Sequence, residues 1–458
     1  MAAGCHKLYP PEVNVQTSKR RYALVGTGAR AGMYIGSLLD RHAEVGEVVA
    51  FCDPNGTRMA FYQRQVRDKT GQTPPAYHPR DFDRLLAEVR PDTVIVTSID
   101  RTHHHYIIRA LEAGSDAITE KPMTTTAEKC QAIIGAVRRT GRALTVTFNY
   151  RYSPRNAKVK ELIQSGEIGE VLSVHFEWLL DTRHGADYFR RWHRDKRNSG
   201  GLMVHKASHH FDLVNWWLGD VPEMVFAMGG LRFYGRDNAE ARGVEHFYSR
   251  AYGSEAAKCD PFAIDLAADP ELRALYLDAE HEDGYFRDQS VFGDGISIED
   301  TMAVLVRYEG GAVMSYSLNA HCPWEGYRVM LNGTKGRLEV DVVERSYVSG
   351  SVGDHKTLEQ HHVEVDPSYG RGERAERPTL LLQKHWERAQ AVPFEEGRGG
   401  HGGGDVRLLD DLFFGASDDP LGRAAGYLDG ARSVLTGVAA NQSLATGLPV
   451  NIGDLVKW

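Results

Sequence analysis

The chain has 458 residues, of which 42% are hydrophobic and 25% charged, the balance of a globular protein too long for one hydrophobic core. A formal net charge of -8 argues against nucleic acid or an anionic membrane as partner. Five scattered cysteines (Cys5, Cys52, Cys130, Cys259, Cys322) without CxxC spacing exclude a disulfide framework and point to a reduced, cytoplasmic setting.

Residues 1–20 contain Pro10-Pro11 and no apolar stretch suited to a signal peptide or membrane span, so they read as a flexible arm. Tyr22 to Val25 form a short apolar strand that runs into Gly26-Thr27-Gly28-Ala29-Arg30-Ala31-Gly32, and Ile35, Leu38 and Leu39 then mark a helix. Val48 to Cys52 reads as a buried strand with Asp53 at its end. Thr93 to Thr97, Asp116 to Thr119 and Leu144 to Phe148 supply further strands, and helical stretches at His105 to Ala113 and Ala127 to Arg138 separate them. This alternation predicts a parallel, doubly wound α/β sheet over residues 21–148.

Within it, Gly26, Gly28 and Ala31 match G-x-G-x-x-A between a strand and a helix, with an acid about 20 residues on. The first glycine permits the tight turn, the second lets a pyrophosphate approach the backbone, and the small third residue lets the helix pack. Asp53 is placed for a ribose 2′-hydroxyl, which favours NAD, whereas Arg58 keeps NADP as the alternative by offering a cation to a 2′-phosphate. Glu120-Lys121-Pro122 ends the Asp116 strand, where open parallel sheets bind ligands.

Past Phe148 the pattern changes. Asn149-Tyr150-Arg151-Tyr152 leads into a helix ending near Ser165, and Val171 to Trp178, Met302 to Tyr308, Ala312 to Leu318, Tyr327 to Leu331 and Arg337 to Val342 read as strands. Glu309-Gly310-Gly311 and Asn332 to Gly336 supply turns. These elements predict an α+β domain over 149–458 with a mostly antiparallel sheet, a polar insertion at about 231–297, a glycine-rich loop from Gly397 to Asp405, and C-terminal helices from about Val406 to Ser443.

The segment Gly200 to Asp212 is dense in chemistry. Helical from Leu202, it would place His205, His209 and Asp212 on one face and bury Val204, Phe211 and Leu218 on another. A histidine suits proton transfer near neutral pH, and no HExxH or cysteine ligands accompany these residues, so no metal is expected. From Arg183 to Lys206, seven Lys/Arg stand against Asp187 and Asp195, and Tyr188, Arg191 and Trp192 suit sugar stacking and hydroxyl or anion binding, with a solvated basic face as the competing reading. His401, between Gly400 and Gly402, could be brought over the site, but a flexible loop is the favoured reading.

The Gly26 loop, Glu120-Lys121-Pro122, Asn149-Tyr150-Arg151, the Gly200-Gly201 helix and Gly333-Thr334-Lys335-Gly336 together resemble the Gfo/Idh/MocA oxidoreductase family, over Tyr22 to about Gly447. The resemblance implies an NAD(P)-dependent enzyme that moves hydride to or from a secondary alcohol of a sugar, polyol or glycoside. An NAD-dependent glycoside hydrolase with transient C3 oxidation is the alternative. It assigns catalysis to Lys121 and His209, with His205 beside them and Asp212 matching an HxxD aspartate. It places Gly26, Gly28, Ala29, Arg30, Asp53, Thr97, Ser98, His103, Glu120, Lys121 and Asn149 at the cofactor, and Lys121, Arg151, Tyr188, Arg191, Trp192, Lys206 and His209 at the substrate. His205 stands where many members carry an aspartate. A homo-dimer or homo-tetramer is expected through the second sheet.

Overall fold

The computed structural model describes residues 18–350, 379–395, 397, 400–415 and 418–458; most of the expected N-terminal arm lies outside them. The first sheet contains β1 (Arg20–Val25), β2 (Gly46–Cys52), β3 (Ala76–Tyr77), β4 (Thr93–Val96), β5 (Asp116–Thr119) and β6 (Leu144–Val146). They are all parallel in the order β3-β2-β1-β4-β5-β6. Ala23, Leu24, Val94, Ile95 and Val96 are fully enclosed because helices cover both faces. The order reverses between β1 and β4, and the carboxyl ends of β1, β4 and β5 converge on the Gly26 loop, Ser98 and Lys121.

The second sheet contains β7 (Val171–Asp181), β8 (Pro222–Gly230), β9 (Thr301–Tyr308), β10 (Val313–Cys322), β11 (Glu325–Gly333), β12 (Gly336–Arg345), β13 (Thr379–Lys384), β14 (Gln390–Ala391) and β15 (Val450–Asn451). Its order is β14-β13-β12-β11-β7-β10-β9-β8-β15, antiparallel throughout except for the parallel pair β7/β10. Along β9, buried Met302, Val304, Val306 and Tyr308 alternate with exposed residues, the period-two pattern of a sheet covered on one face. Strands β8, β13, β14 and β15 extend it beyond the elements expected from sequence.

Two expectations are corrected. Leu202 to Leu218 is not one helix: a turn at Lys206 and Ala207 separates Leu202–His205 from Ser208–Leu218, so His205 and His209 leave different helices. The insertion is not merely polar. Ile264, Leu266, Leu272, Leu275 and Tyr276 are buried against Tyr34, Ile35, Met59 and Tyr62 of the first domain, sealing a second apolar cluster.

The C-terminal helix Tyr427–Thr446 packs on β8, on the Ser208–Leu218 helix and on the first-domain helix Ala127–Thr140, so it ties the two sheets together. Its Gly437 allows this approach, since a β-carbon there would lie 2.3 Å from the Met203 carbonyl oxygen. Gly437→Ala is therefore expected to destabilise the protein by about 1–3 kcal/mol, the usual cost of overpacking, read as a lower urea midpoint.

Candidate active site

The nucleotide side of the site is built by the Gly26 loop. Gly26 holds φ +87°, and a β-carbon on it would lie 2.5 Å from the Ser98 nitrogen, so only glycine fits. On Gly28 the nearest atom to a β-carbon is the Tyr276 hydroxyl oxygen at 3.5 Å, which leaves the backbone open to a phosphate. The helix Ala31–Leu39 begins directly behind it. Thr27 Oγ1 is buried without a hydrogen-bond partner among the described residues, and the Ala29 N–H donates to the Tyr276 hydroxyl (3.0 Å). This cradle fits a dinucleotide.

Asp53 ends β2, and its carboxylate accepts from the Thr27 and Asn55 N–H groups (2.7 and 2.8 Å). It therefore braces the loop and keeps lone pairs for a ribose hydroxyl. Thr97 donates to the Gly26 carbonyl (2.6 Å), and the Ser98 and Thr102 hydroxyls are 2.8 Å apart. His103 lies between the Pro122 and Ser98 carbonyls, both at 2.9 Å; burial lowers its pKa, and its neutral ring donates to one of them. Its geometry is that of a clamp between the β4 and β5 loops.

Lys121 sits at the mouth of this crevice, partly buried, with Nζ 3.5 Å from the His205 carbonyl oxygen. Burial, with Lys206 nearby, brings its pKa down to about 7. Glu120 is turned away, accepting from Arg30 Nε (2.5 Å), the Tyr34 hydroxyl (2.8 Å) and the Lys121 N–H. Burial raises its carboxyl, but Arg30 and Lys121 outweigh that and hold it below the usual value. Arg30 and Glu120, both expected at the cofactor, thus form an ion pair behind Lys121.

Burial followed by neighbouring positive groups, Lys121 among them, holds His193, His205, His209 and His210 well below the ordinary histidine pKa. His209 has no hydrogen-bond partner on either ring nitrogen among the described residues, and it packs edge-on to Phe148 and Tyr150. His401, carried at φ +53° in the segment Gly400–Asp410, has its ring 5.7 Å from that of His209 and its Nδ1 3.1 Å from Asp405. Gly400 to Asp405 is thus part of the site wall, and Asn149 joins it by donating to Asp405 (2.5 Å).

His205 finds a carboxylate that the sequence did not reveal. Its Nδ1 lies 2.5 Å from Asp100 Oδ2, contributed by the loop after β4, in a pair that is 8% and 3% exposed. Asp100 supplies across the domain boundary the acid that this chain lacks at position 205. The signal for it was a carboxylate at a strand's carboxyl end, but its partner lies 105 residues away.

Several expected substrate contacts are already committed. Arg151 makes a bidentate pair with Asp212 (2.8 and 2.5 Å) and reaches Asp429 (3.0 Å), with 2% exposure. The two side chains are therefore committed to each other, and Asp212 makes no hydrogen bond to His209 among the described residues. Lys206 stacks its ammonium over Trp178 at 4.7 Å, and burial lowers its pKa to about 8. Tyr188 donates into a relay with His184 (3.0 Å) and Glu325 (2.6 Å onward), while its ring meets His205 edge-on. Arg191 binds Asp187 (2.9 Å), and Trp192 stacks on His193 at 3.6 Å. The Arg183–Lys206 stretch is not a solvated basic face, because Arg190, Arg194 and Lys206 are buried.

The model of the oxidoreductase family's NAD-binding Rossmann fold matches residues 20–148, and that of the oxidoreductase family's C-terminal alpha/beta domain matches residues 160–452. A Bacillus subtilis protein named as the oxidoreductase YteT is 36% identical over 453 residues, covering 94% of this chain and 97% of its own. A 2,7-anhydro-N-acetylneuraminate hydratase of Mediterraneibacter gnavus is 23% identical, covering 93% and 92%. Among solved structures, the aldose-aldose oxidoreductase of Caulobacter crescentus shares the fold with a TM-score of 0.59 at 18% identity, covering 95% of this chain and 100% of its own. No helix among the described residues is long and apolar enough to cross a membrane.

The depressed pKa of Lys121 makes a stability prediction. Below about pH 7 the folded state must hold its ammonium in the cleft at a cost, and between about 7 and the ordinary 10.5 the unfolded chain binds the extra proton. Lys121→Met is expected to be more stable than the parent at pH 6, by roughly 1–2 kcal/mol after allowing for partial exposure, with the gain fading towards pH 10. Urea midpoints at both pH values measure it.

Proposed function

Because this chain belongs to the Gfo/Idh/MocA oxidoreductase family and carries its NAD-binding Rossmann domain, we propose that it moves hydride between nicotinamide and a secondary alcohol of a sugar, polyol or glycoside. The observation that carries this reading is Lys121, poised near neutrality at the nucleotide crevice, opposite His209 with both ring nitrogens unpartnered. Bound NAD supplies the hydride acceptor. Lys121 Nζ holds the carbinol oxygen and stabilises negative charge developing there. His209, kept neutral by burial, takes the hydroxyl proton and returns it in the reverse direction. Partly exposed Trp192, with the His193 ring stacked beneath it and the Tyr188 ring edge-on to His193, gives a sugar face an aromatic wall. The relative named as a 2,7-anhydro-N-acetylneuraminate hydratase supports a carbohydrate class of substrate. Exposed Leu172, Met228, Leu305 and Val313 on the second sheet support a homo-dimer or homo-tetramer, and scattered cysteines without CxxC spacing support a cytoplasmic setting.

A second reading rests on the His205–Asp100 pair. A redox-neutral cleavage oxidises C3 transiently, removes the C2 proton, expels the aglycone, adds water and re-reduces the sugar. That route needs a further acid/base group beside Lys121 and His209, and a histidine tied to a carboxylate is suited to the C2 proton.

In a panel of sugars and glycosides, His209→Asn is expected to lower kcat by about 10²–10⁴-fold, the range of general acid–base catalysis, with NAD affinity retained. NADH formed in step with oxidised sugar supports the leading reading; aglycone release without net NADH overturns it in favour of the second. Asp100→Asn provides an independent check. Under the second reading it abolishes cleavage but keeps hydride transfer, followed by deuterium loss from C3-labelled substrate. Equal loss of both sinks that role for the pair.

A further inference from the structure

The insertion places two neighbouring carboxylates where a cofactor phosphate would bind. The helix Gly56–Thr70 opens just after Asp53, and its first free N–H groups face the ribose side of the crevice. Glu282 fills that anion site: its carboxylate accepts from the Gly56 N–H (2.5 Å), the Thr57 N–H (2.7 Å) and the Thr57 hydroxyl. Asp283, the next residue, takes Arg58 Nη1 at 2.6 Å, and the Leu275 carbonyl takes Arg58 Nε at 2.8 Å. Arg58 is 8% exposed and is flanked by the Tyr276 and Tyr285 rings. The Asn55 amide donates to the Ala279 carbonyl (2.8 Å), so every residue from Asn55 to Arg58 is bonded to the insertion.

An enzyme that accepts NADP needs a site for two negative charges beside the ribose, and the usual donors are helix N–H groups and a nearby arginine. Both donors are present here: the helix N–H groups are taken by Glu282, and Arg58 is held through Nε and Nη1, with its Nη2 buried and unpartnered among the described residues. We infer that Glu282 and Asp283 act as a built-in substitute for the 2′-phosphate, so that the insertion makes this chain select NAD over NADP. The carboxylates repel the phosphate, hold its donors, and leave Asp53 to receive a 2′-hydroxyl. Arg58, which on sequence alone kept NADP open, becomes part of the device that refuses it. This goes beyond the proposed function and depends on the Rossmann domain alone, not on the substrate.

The test is cofactor binding to the full-length protein, followed by quenching of tryptophan fluorescence with NADH and NADPH in the absence of substrate. The parent is expected to bind NADH at least about 100-fold more tightly than NADPH, a gap of two lost charge-assisted bonds. The variant E282Q/D283N keeps size and hydrogen-bonding shape but removes both charges. It is expected to gain about 10-fold or more in NADPH affinity, with NADH changed by less than about 3-fold. E282A/D283A, checked for an unchanged melting profile, should move the same way. A parent that binds both cofactors equally overturns the inference. So does an equal fall for both cofactors in a folded variant, which would make the two acids only a tether for the insertion.

Discussion

Positive charge held in a crevice between two domains is the constraint around which this molecule is arranged. Lys121 lies within electrostatic reach of His193, His205, His209 and His210, and Lys206 of the last three, and burial strips water from both ammonium groups. The histidines respond by staying neutral at ordinary pH, so none adds a further charge to the crevice. Buried carboxyl groups stand beside them: Glu120 behind Lys121 and Asp405 beside His401 are held below the usual carboxylate range, whereas burial raises Asp100 beside His205. One arrangement thus sets the protonation states of the whole site.

The fold meets that constraint by bringing ends together. The carboxyl ends of β1, β4 and β5 deliver Gly26, Asp100 and Lys121 from one side, while the broken helix at Lys206 and Ala207 delivers His205 and His209 from the other. The turn matters, since on a continuous helix the two histidines would crowd one stripe. With it, His205 turns towards Asp100 and His209 towards Phe148 and Tyr150. The Arg151–Asp212–Asp429 network locks the Ser208–Leu218 helix from behind, and the Tyr427–Thr446 helix holds both halves in register.

Legibility in the sequence followed the range of the physics. The glycine loop, the strand ends and the apolar alternation of β9 to β12 were readable because each reports a local backbone requirement over a few residues. Lys121 was readable because the motif around it is contiguous. Asp100 as the partner of His205 was not, nor was the commitment of Arg151 to Asp212, because both depend on groups brought together from distant segments. His401 was obscured by its glycines, which signal a loop but do not say that the loop is pinned by Asp405 and Tyr150. The insertion looked polar because its few apolar residues are dispersed, yet they converge on one patch of the first domain.

By itself, the sequence determined the α/β and α+β division, the nucleotide loop, the lysine at the end of β5 and the family to which these belong, since all rest on short-range spacing and chain-local geometry. Only the tertiary structure decided which side chains are committed and which remain for chemistry. It paired Arg151 with Asp212, Arg58 with Asp283 and His205 with Asp100, and it left His209 unpartnered among the described residues. The physical reason is that a buried polar group must find its partner in space, and the nearest partner in space is rarely the nearest in sequence.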